Sequence, residues 1–298
     1  MSAASRAPRA DAPAQGTRIH TLRTDDGVAV VVHRLGPEDG VPIILVPGTF
    51  SNHAFWLGTR GTGFARTLAE RGFEAWVVDP RGHGLSQRPG PDDRWDFDDW
   101  AHNDLTAVIE AATRHRPALL VGHSAGGAAA LAALAVRTRL RERVRGIVTI
   151  ATPVPWLQPM RRVGAYLTLA VTRAFGRFPA PLLRLGPEDE LPGVMSQWMR
   201  WNLQGRWEGN DGTDYEPLIR ELKNPYLGVA GNGDRLFAPP DACRGLYEMI
   251  GSADKTFLLC GRSTGFSEDF DHTGIMIRRS ARAELWPRLL EWIERRAR

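Results

Sequence analysis

The sequence predicts an α/β fold, a mainly parallel sheet covered by helices on both faces. Largely apolar runs of strand length, Pro42–Val46, Glu74–Asp79, Leu119–Gly122 and Val144–Ile150, alternate with segments of helical pattern. An unbroken apolar run is what a strand buried on both faces requires, and the alternation is that of a parallel sheet between helix layers. The early runs end at Gly- or Pro-containing turns, and in such sheets the chemistry lies at the carboxyl ends of the strands.

Composition bounds the reading. The chain has 298 residues, 43% hydrophobic and 24% charged, enough for one large α/β domain or two small ones with a sizeable core. Its 38 basic and 34 acidic residues are spread along the chain; the tail Glu294–Arg298, the densest basic patch, reads as a solvated helix end, so no nucleic-acid partner is expected. Cys243 and Cys260 form no CxxC motif and read as free thiols of a reducing compartment, which makes the cytoplasm the expected location. Residues 1–17 lack the apolar core of a secretion signal, so none is expected there, and no 18-residue apolar run predicts a membrane span.

Taken in order, residues 1–17, rich in Ala, Pro, Ser and Arg, read as a disordered extension. Arg18–Arg23 and Val28–Arg34 read as a hairpin around Asp25-Asp26-Gly27. The strand Pro42–Val46 ends at Pro47-Gly48-Thr49-Phe50, a helix covers Phe64–Arg71, and the strand Glu74–Asp79 ends at Pro80-Arg81-Gly82-His83-Gly84. A helix follows over about 99–115 to Pro117, then the strand through Val121, a helix to about Leu140 and a strand Val144–Ile150. From Pro153 to Asn224 the rhythm breaks. Many prolines and the aromatic or methionine residues Trp156, Met160, Met195, Trp198, Met199, Trp201 and Trp207 predict a mainly helical insertion over the sheet, 153–224, between core segments 18–152 and 225–298. The core pattern resumes with a strand Tyr226–Ala230, a helix Pro240–Ile250, a strand Thr256–Cys260 and a closing helix Ser280–Arg296.

The stretch Leu119–Gly127 carries the chemistry. Gly122-His123-Ser124-Ala125-Gly126 is Gly-x-Ser-x-Gly between a strand and an Ala-rich helix. Such a turn needs small residues two before and two after the serine so that strand and helix can pass closely, and it aims a helix N-terminus at the hydroxyl. A serine hydroxyl needs a base, and the base an orienting group. Asp234 follows the strand Tyr226–Ala230 in the turn Gly231-Asn232-Gly233-Asp234, and His272 follows the last strand in Phe270-Asp271-His272. Asp241 and Asp254 lie inside or after a helix, and Asp269 and Asp271 are too close to His272 in sequence to hold it from a second strand, so Asp234 is the expected carboxylate. His83 is expected to brace its own turn, and no HExxH or Cys/His set predicts a metal or other cofactor.

From about residue 18 to its end the chain resembles an α/β-hydrolase-fold enzyme with a cap, on five separated motifs: Pro47-Gly48-Thr49, Asp79 to Gly84, Gly122 to Gly126, Gly231 to Asp234, and Asp271-His272. The resemblance implies a mostly parallel sheet of the eight-stranded type with a mainly helical cap at 153–224. It implies Ser124 as nucleophile, His272 as general base and acid, Asp234 as the group holding the imidazole, and an oxyanion hole from the N–H of Ala125 and of Thr49, with Phe50 as the alternative. Many relatives have His-Gly where this chain has Pro47-Gly48. Dehalogenases and epoxide hydrolases of this fold need Asp where Ser124 stands. A serine implies an acyl-enzyme, so the expected activity is hydrolysis of a small-molecule carboxylic ester with a medium, hydrophobic acyl or alcohol group. Acyl transfer or thioester cleavage by the same residues is the alternative, and a non-catalytic binding protein the third reading. Within the insertion the Trp and Met residues are expected mainly as cap core, with Trp198, Met199 and Trp201, and His123 beside the nucleophile, as candidates for substrate contact.

Overall fold

The computed structural model describes residues 16–58, 61–155 and 159–298; all but the last two residues of the expected N-terminal extension lie outside them, as do Trp156 and the side chain of Met160. Eight strands form one sheet: β1 (Arg18–Arg23), β2 (Ala29–Leu35), β3 (Pro42–Val46), β4 (Glu74–Asp79), β5 (Ala118–His123), β6 (Val144–Ile150), β7 (Tyr226–Gly231) and β8 (Lys255–Cys260). Their spatial order is β1-β2-β4-β3-β5-β6-β7-β8. The β1–β2 and β2–β4 pairs are antiparallel and all others parallel. Burial explains the pattern of the sequence. Every residue of β3, β4, β5 and β7 is buried, whereas edge strand β1 alternates half-buried and exposed positions.

The helices are α1 (Ala54–Leu57), α2 (Phe64–Glu70), α3 (Phe97–Asp99), α4 (Leu105–Ala112), α5 (Ala125–Val136), α6 (Pro159–Phe175), α7 (Pro192–Gln204), α8 (Tyr215–Arg220), α9 (Pro240–Met249), α10 (Gly274–Ile277), α11 (Arg279–Glu284) and α12 (Trp286–Ala297). Side chains alternate across β3: Ile44 and Val46 join α4, α5, α8 and α9 on one face, while Ile43 and Leu45 join α1, α2 and α12 on the other. Among the described residues no helix is long and apolar enough to cross a membrane, and both cysteines are free and buried.

Three helices differ from the expected ones for local reasons. The helix expected over 99–115 starts at Phe97, because Asp96 accepts from the Asp98 and Asp99 N–H groups while Asp99 reaches back to the Asp96 N–H. A wider π-turn at Trp100–Asp104 then interrupts it. The helix after Ser124 ends at Val136 and gives way to a 3₁₀ stretch, Thr138–Arg143. The closing helix breaks at Leu285 because Pro287, in the first turn of α12, has no N–H to continue α11.

Between β6 and β7 the described chain contains α6, α7, α8 and two isolated bridges, Phe178 with Glu190 and Glu208 with Asp214. This excursion has two anchorages. Trp201, Trp207, Tyr215 and Ile219 are continuous with the α5 face of the sheet core, whereas Phe178, Ala180, Met195 and Met199 pack around Phe50 in a separate cluster.

The turn after β4 is held by a buried charge. Arg81 is fully buried; its backbone N–H and Nε donate to Asp104 at 2.8 Å, and its terminal nitrogens donate to Asp26 in the β1–β2 turn. The π-turn thus supplies the carboxylate that neutralises Arg81. Removing one partner of such a pair leaves a buried charge uncompensated, so Arg81→Ala is expected to lower stability by about 3–5 kcal/mol in urea denaturation. Asp26→Asn, at the partly exposed end of the network, is expected to cost no more than about 1 kcal/mol.

Candidate active site

The elbow after β5 puts Ser124 at φ 52° and ψ −124°, a conformation that L-residues rarely adopt. Two glycines make it sterically possible. A Cβ on Gly122 would lie 2.4 Å from the Gly127 Cα, and one on Gly126 would lie 2.3 Å from the Pro47 carbonyl oxygen, so strand, helix and the loop after β3 are in backbone contact. The Ser124 N–H donates to the Ile150 carbonyl at 2.8 Å, and the Thr152 hydroxyl donates to the Ser124 carbonyl at 2.9 Å. The end of β6 therefore fixes both sides of the serine.

The loops after β7 and β8 are stitched to each other. The Asn232 N–H donates to the Cys260 carbonyl, the Gly233 N–H to the Phe270 carbonyl, and the Asn232 side chain to Asp269 at 2.8 Å. Arg278 bridges Glu268 and Asp271. The loop Gly261–Asp271 is thereby ordered, and it delivers His272 to Asp234. His272 Nδ1 lies 2.5 Å from Asp234 Oδ2, and its Nε2 lies 3.0 Å from the Ser124 hydroxyl. Burial works to raise the Asp234 pKa, but the hydrogen bond and charge of His272 outweigh it and hold the carboxyl below its usual range. The other carboxylates are elsewhere: Asp254 pairs with Arg296, Asp241 sits in the first turn of α9, Asp269 accepts from the Asn232 side chain and the Arg262 N–H, and Asp271 accepts from the Gly274 N–H.

Two cavities meet at this point. Thr49, Ser124, Ala125, Ala128, Val194, Trp198, Trp201 and Trp207 border a cavity of about 40 Å³. His272, Thr49, Phe50, Phe55, His123 and Phe237 border another of about 820 Å³. Among the described residues neither the Thr49 nor the Ala125 N–H has a hydrogen-bond partner, whereas the Phe50 N–H donates to Glu190 at 3.0 Å. The Phe50 N–H is thereby committed elsewhere, and the Thr49 N–H is not. Of the aromatic and methionine candidates, Trp198 and Trp201 border the small cavity and Met199 does not: it is buried around Phe50. Trp207, which also borders it, was visible in the sequence only as one of several tryptophans.

A family model described as the alpha/beta hydrolase fold matches residues 41–191. The AB hydrolase superfamily protein YisY of Bacillus subtilis is 34% identical over 247 residues, 78% of this chain and 87% of that one. The chain belongs to the α/β-hydrolase family. It is also 26% identical over 159 residues, 45% of its length, to "Probable lipase C14C8.15" of Schizosaccharomyces pombe, and spans 34% of that protein. An esterase structure from Thermogutta terrifontis superposes with a TM-score of 0.67 at 18% identity, over 94% of this chain and 100% of that one.

Two buried histidines of this α/β-hydrolase support the site. His123, beneath the elbow, donates from Nε2 to the His272 carbonyl at 2.8 Å and packs between Phe55 and His272. Burial, reinforced by the charge of His272, pushes its pKa down to about 3. His83, expected only to brace its own turn, contacts the Arg81 carbonyl and also faces Glu190 at 3.4 Å. Burial would lower its pKa, yet Glu190 and Glu188 raise it. Glu190 thus ties the α6–α7 connection to both His83 and the Phe50 N–H, a link that spans too much sequence to be read from a local motif.

His33 Nε2, His53 Nδ1 and the Asp79 carboxylate have donor atoms within 4.8 Å of one another, the metal-like grouping among the described residues. Here they satisfy each other: Asp79 accepts from both rings and from the His53 and Leu85 N–H groups. Burial opposes its ionisation, but the bonds from His33 and His53 hold its pKa well below the ordinary value. The grouping is a hub joining β2, β4 and the loop after β3.

The lowered His123 pKa gives a pH test. Between its ordinary value of 6.5 and about 3 the unfolded chain binds this proton and the folded chain does not, so stability is present above 6.5 and lost on acidification through that window. His123→Gln, which cannot ionise, is expected to show a shallower fall in stability between pH 6.5 and 4 than the native chain, measured by urea denaturation at each pH.

Proposed function

We propose that this α/β-hydrolase cleaves carboxylic esters through a covalent acyl-enzyme on Ser124. The observation that carries the reading is the continuous hydrogen-bond chain from Asp234 through His272 to a serine held at a strained elbow. The names of the similar proteins, an esterase and a lipase, support the substrate class.

In this reading His272 Nε2 takes the Ser124 proton as Oγ attacks the ester carbonyl. The negative charge that develops on the carbonyl oxygen is met by the N–H groups of Thr49 and Ala125, which have no competing partner. Collapse breaks the bond to the alcohol oxygen, which receives the proton from His272. Water then attacks the acyl carbonyl, His272 takes its proton, and Ser124 leaves protonated as the acid is released. Asp234 stays ionised throughout, holds the imidazole with Nε2 toward serine and stabilises its cationic form. His123, neutral at working pH, adds no repulsion to that cation and fixes the backbone from which it hangs.

The segment 153–224 acts as the cap: α7 brings Val194, Trp198 and Trp201 over Ser124, and Glu190 holds the neighbouring N–H of Phe50 out of the oxyanion site. The cap so used encloses the reacting carbonyl among apolar walls, where hydrogen bonds to developing charge are strongest.

A fluorophosphonate is expected to label the chain at Ser124, located by mass mapping of the modified peptide, and the native chain to hydrolyse p-nitrophenyl acetate. Ser124→Ala should lose both. Asp234→Asn is expected to reduce kcat by about 10⁴-fold, the effect of losing the carboxylate that fixes the tautomer. Full turnover by Ser124→Ala would contradict the mechanism.

A further inference from the structure

The cavity lined by Ser124 and the one lined by His272 are very unequal, and the stereochemistry of attack says which half of an ester each receives. This inference rests on the serine mechanism above. In the tetrahedral intermediate one bond joins the carbon to Ser124 Oγ, and one oxygen points to the Thr49 and Ala125 N–H groups. The leaving oxygen must lie within reach of His272 Nε2 to take its proton. The remaining bond, to the acyl carbon, is directed away from His272. His272 borders the 820 Å³ cavity and not the 40 Å³ one, while Ala125 and Ala128 border the small cavity and not the large one.

We propose that this enzyme is an esterase of short acyl groups, acetyl to propionyl, carried on large apolar alcohols. A cavity of about 150 Å³ holds one benzene ring, so about 40 Å³ has room for a methyl or ethyl group. The walls on the α5 side and at Trp201 and Trp207 are fixed, while Pro153, Val154, Pro155 and Asn202 border the cavity half-buried. Ala128 lies on the buried α5; Trp201 is buried, donates its indole N–H to the Glu208 carbonyl at 2.7 Å and packs edge-on to Phe97; Trp207 is buried behind it. Trp198, half-buried, is the one aromatic wall that solvent reaches. The large cavity has the volume of a small-molecule site, and Phe237, Leu236 and Ile277 give it apolar surface beside His272. The hydrophobic group expected from the sequence is therefore assigned to the alcohol.

Heptyl acetate and methyl octanoate test this directly, because they are isomers that differ only in which side of the ester bears the long chain. The native enzyme is expected to cleave heptyl acetate with kcat/KM at least about 100-fold above that for methyl octanoate, the scale on which excluded methylenes are rejected. Trp198→Ala should reduce that ratio by raising activity on methyl octanoate. Ala128→Val should instead lower activity on a propionate ester more than on the matching acetate, so the wall is tested in both directions. Equal or faster cleavage of methyl octanoate, with turnover still abolished by Ser124→Ala, would overturn the assignment of the cavities and leave the serine mechanism standing. No cleavage of either ester together with no fluorophosphonate labelling of Ser124 would overturn both.

Discussion

The structure depends on one crowded crossing, where β5, the N-terminus of α5 and the loop after β3 meet at backbone contact distance. Ser124 can occupy its left-handed conformation because Gly122, Gly126 and Gly127 leave no side chain between the crossing elements. Such a conformation costs about 1–3 kcal/mol and survives only when its surroundings over-determine it. They do so here. β5 is wholly buried, α5 is buried from Gly126 to Ala135, and Ile150 at the end of β6 and Thr152 just after it bond the N–H and the carbonyl of Ser124. The strain is therefore carried by the most cohesive part of the core, and its effect is to present a hydroxyl and an unspent N–H at one place.

Asp234 and His272 arrive by loops that are bonded to each other, and His123 of the elbow donates to the His272 carbonyl. The turn after β7 and the long loop after β8 are joined by hydrogen bonds among Asn232, Gly233, Asp269 and Phe270, which fix Asp234 and His272 relative to each other. The β6–β7 excursion contributes differently. Its Trp201 and Trp207 join the sheet core, and its Glu190 takes the Phe50 N–H and faces buried His83. One carboxylate thus connects the position of the excursion to which N–H of the β3 loop stays free.

Much of this was legible in the sequence, for a physical reason. β3, β4 and β6 are largely apolar runs of strand length, the pattern expected of strands buried on both faces. Ser124, Asp234 and His272 stand out because each follows a strand at a glycine-rich or polar turn. What was not legible depends on contacts distant in sequence. The π-turn at Trp100–Asp104 has no periodic signature of its own, and it accompanies the demand of Arg81 for a carboxylate. The commitment of Phe50 to Glu190 joins residues from opposite sides of the excursion. Trp198 and Met199 are neighbours in sequence, yet helical geometry turns one toward Ser124 and the other into the Phe50 cluster. The small size of the cavity beside Ser124 depends on residues of α5, of α7 and of the loop after β6 coming to one place, which composition does not encode.

The central claim is that the elbow and the β3 loop together provide the two donors that meet charge on the substrate. The most direct measurement is a crystal structure of the enzyme phosphonylated by an ethyl fluorophosphonate. The account predicts phosphorus bonded to Ser124 Oγ and its oxygen accepting from the Thr49 and Ala125 N–H groups, with Phe50 still bonded to Glu190. Phosphorus on another residue, or an oxygen bound by the Phe50 N–H with Thr49 turned away, would contradict it.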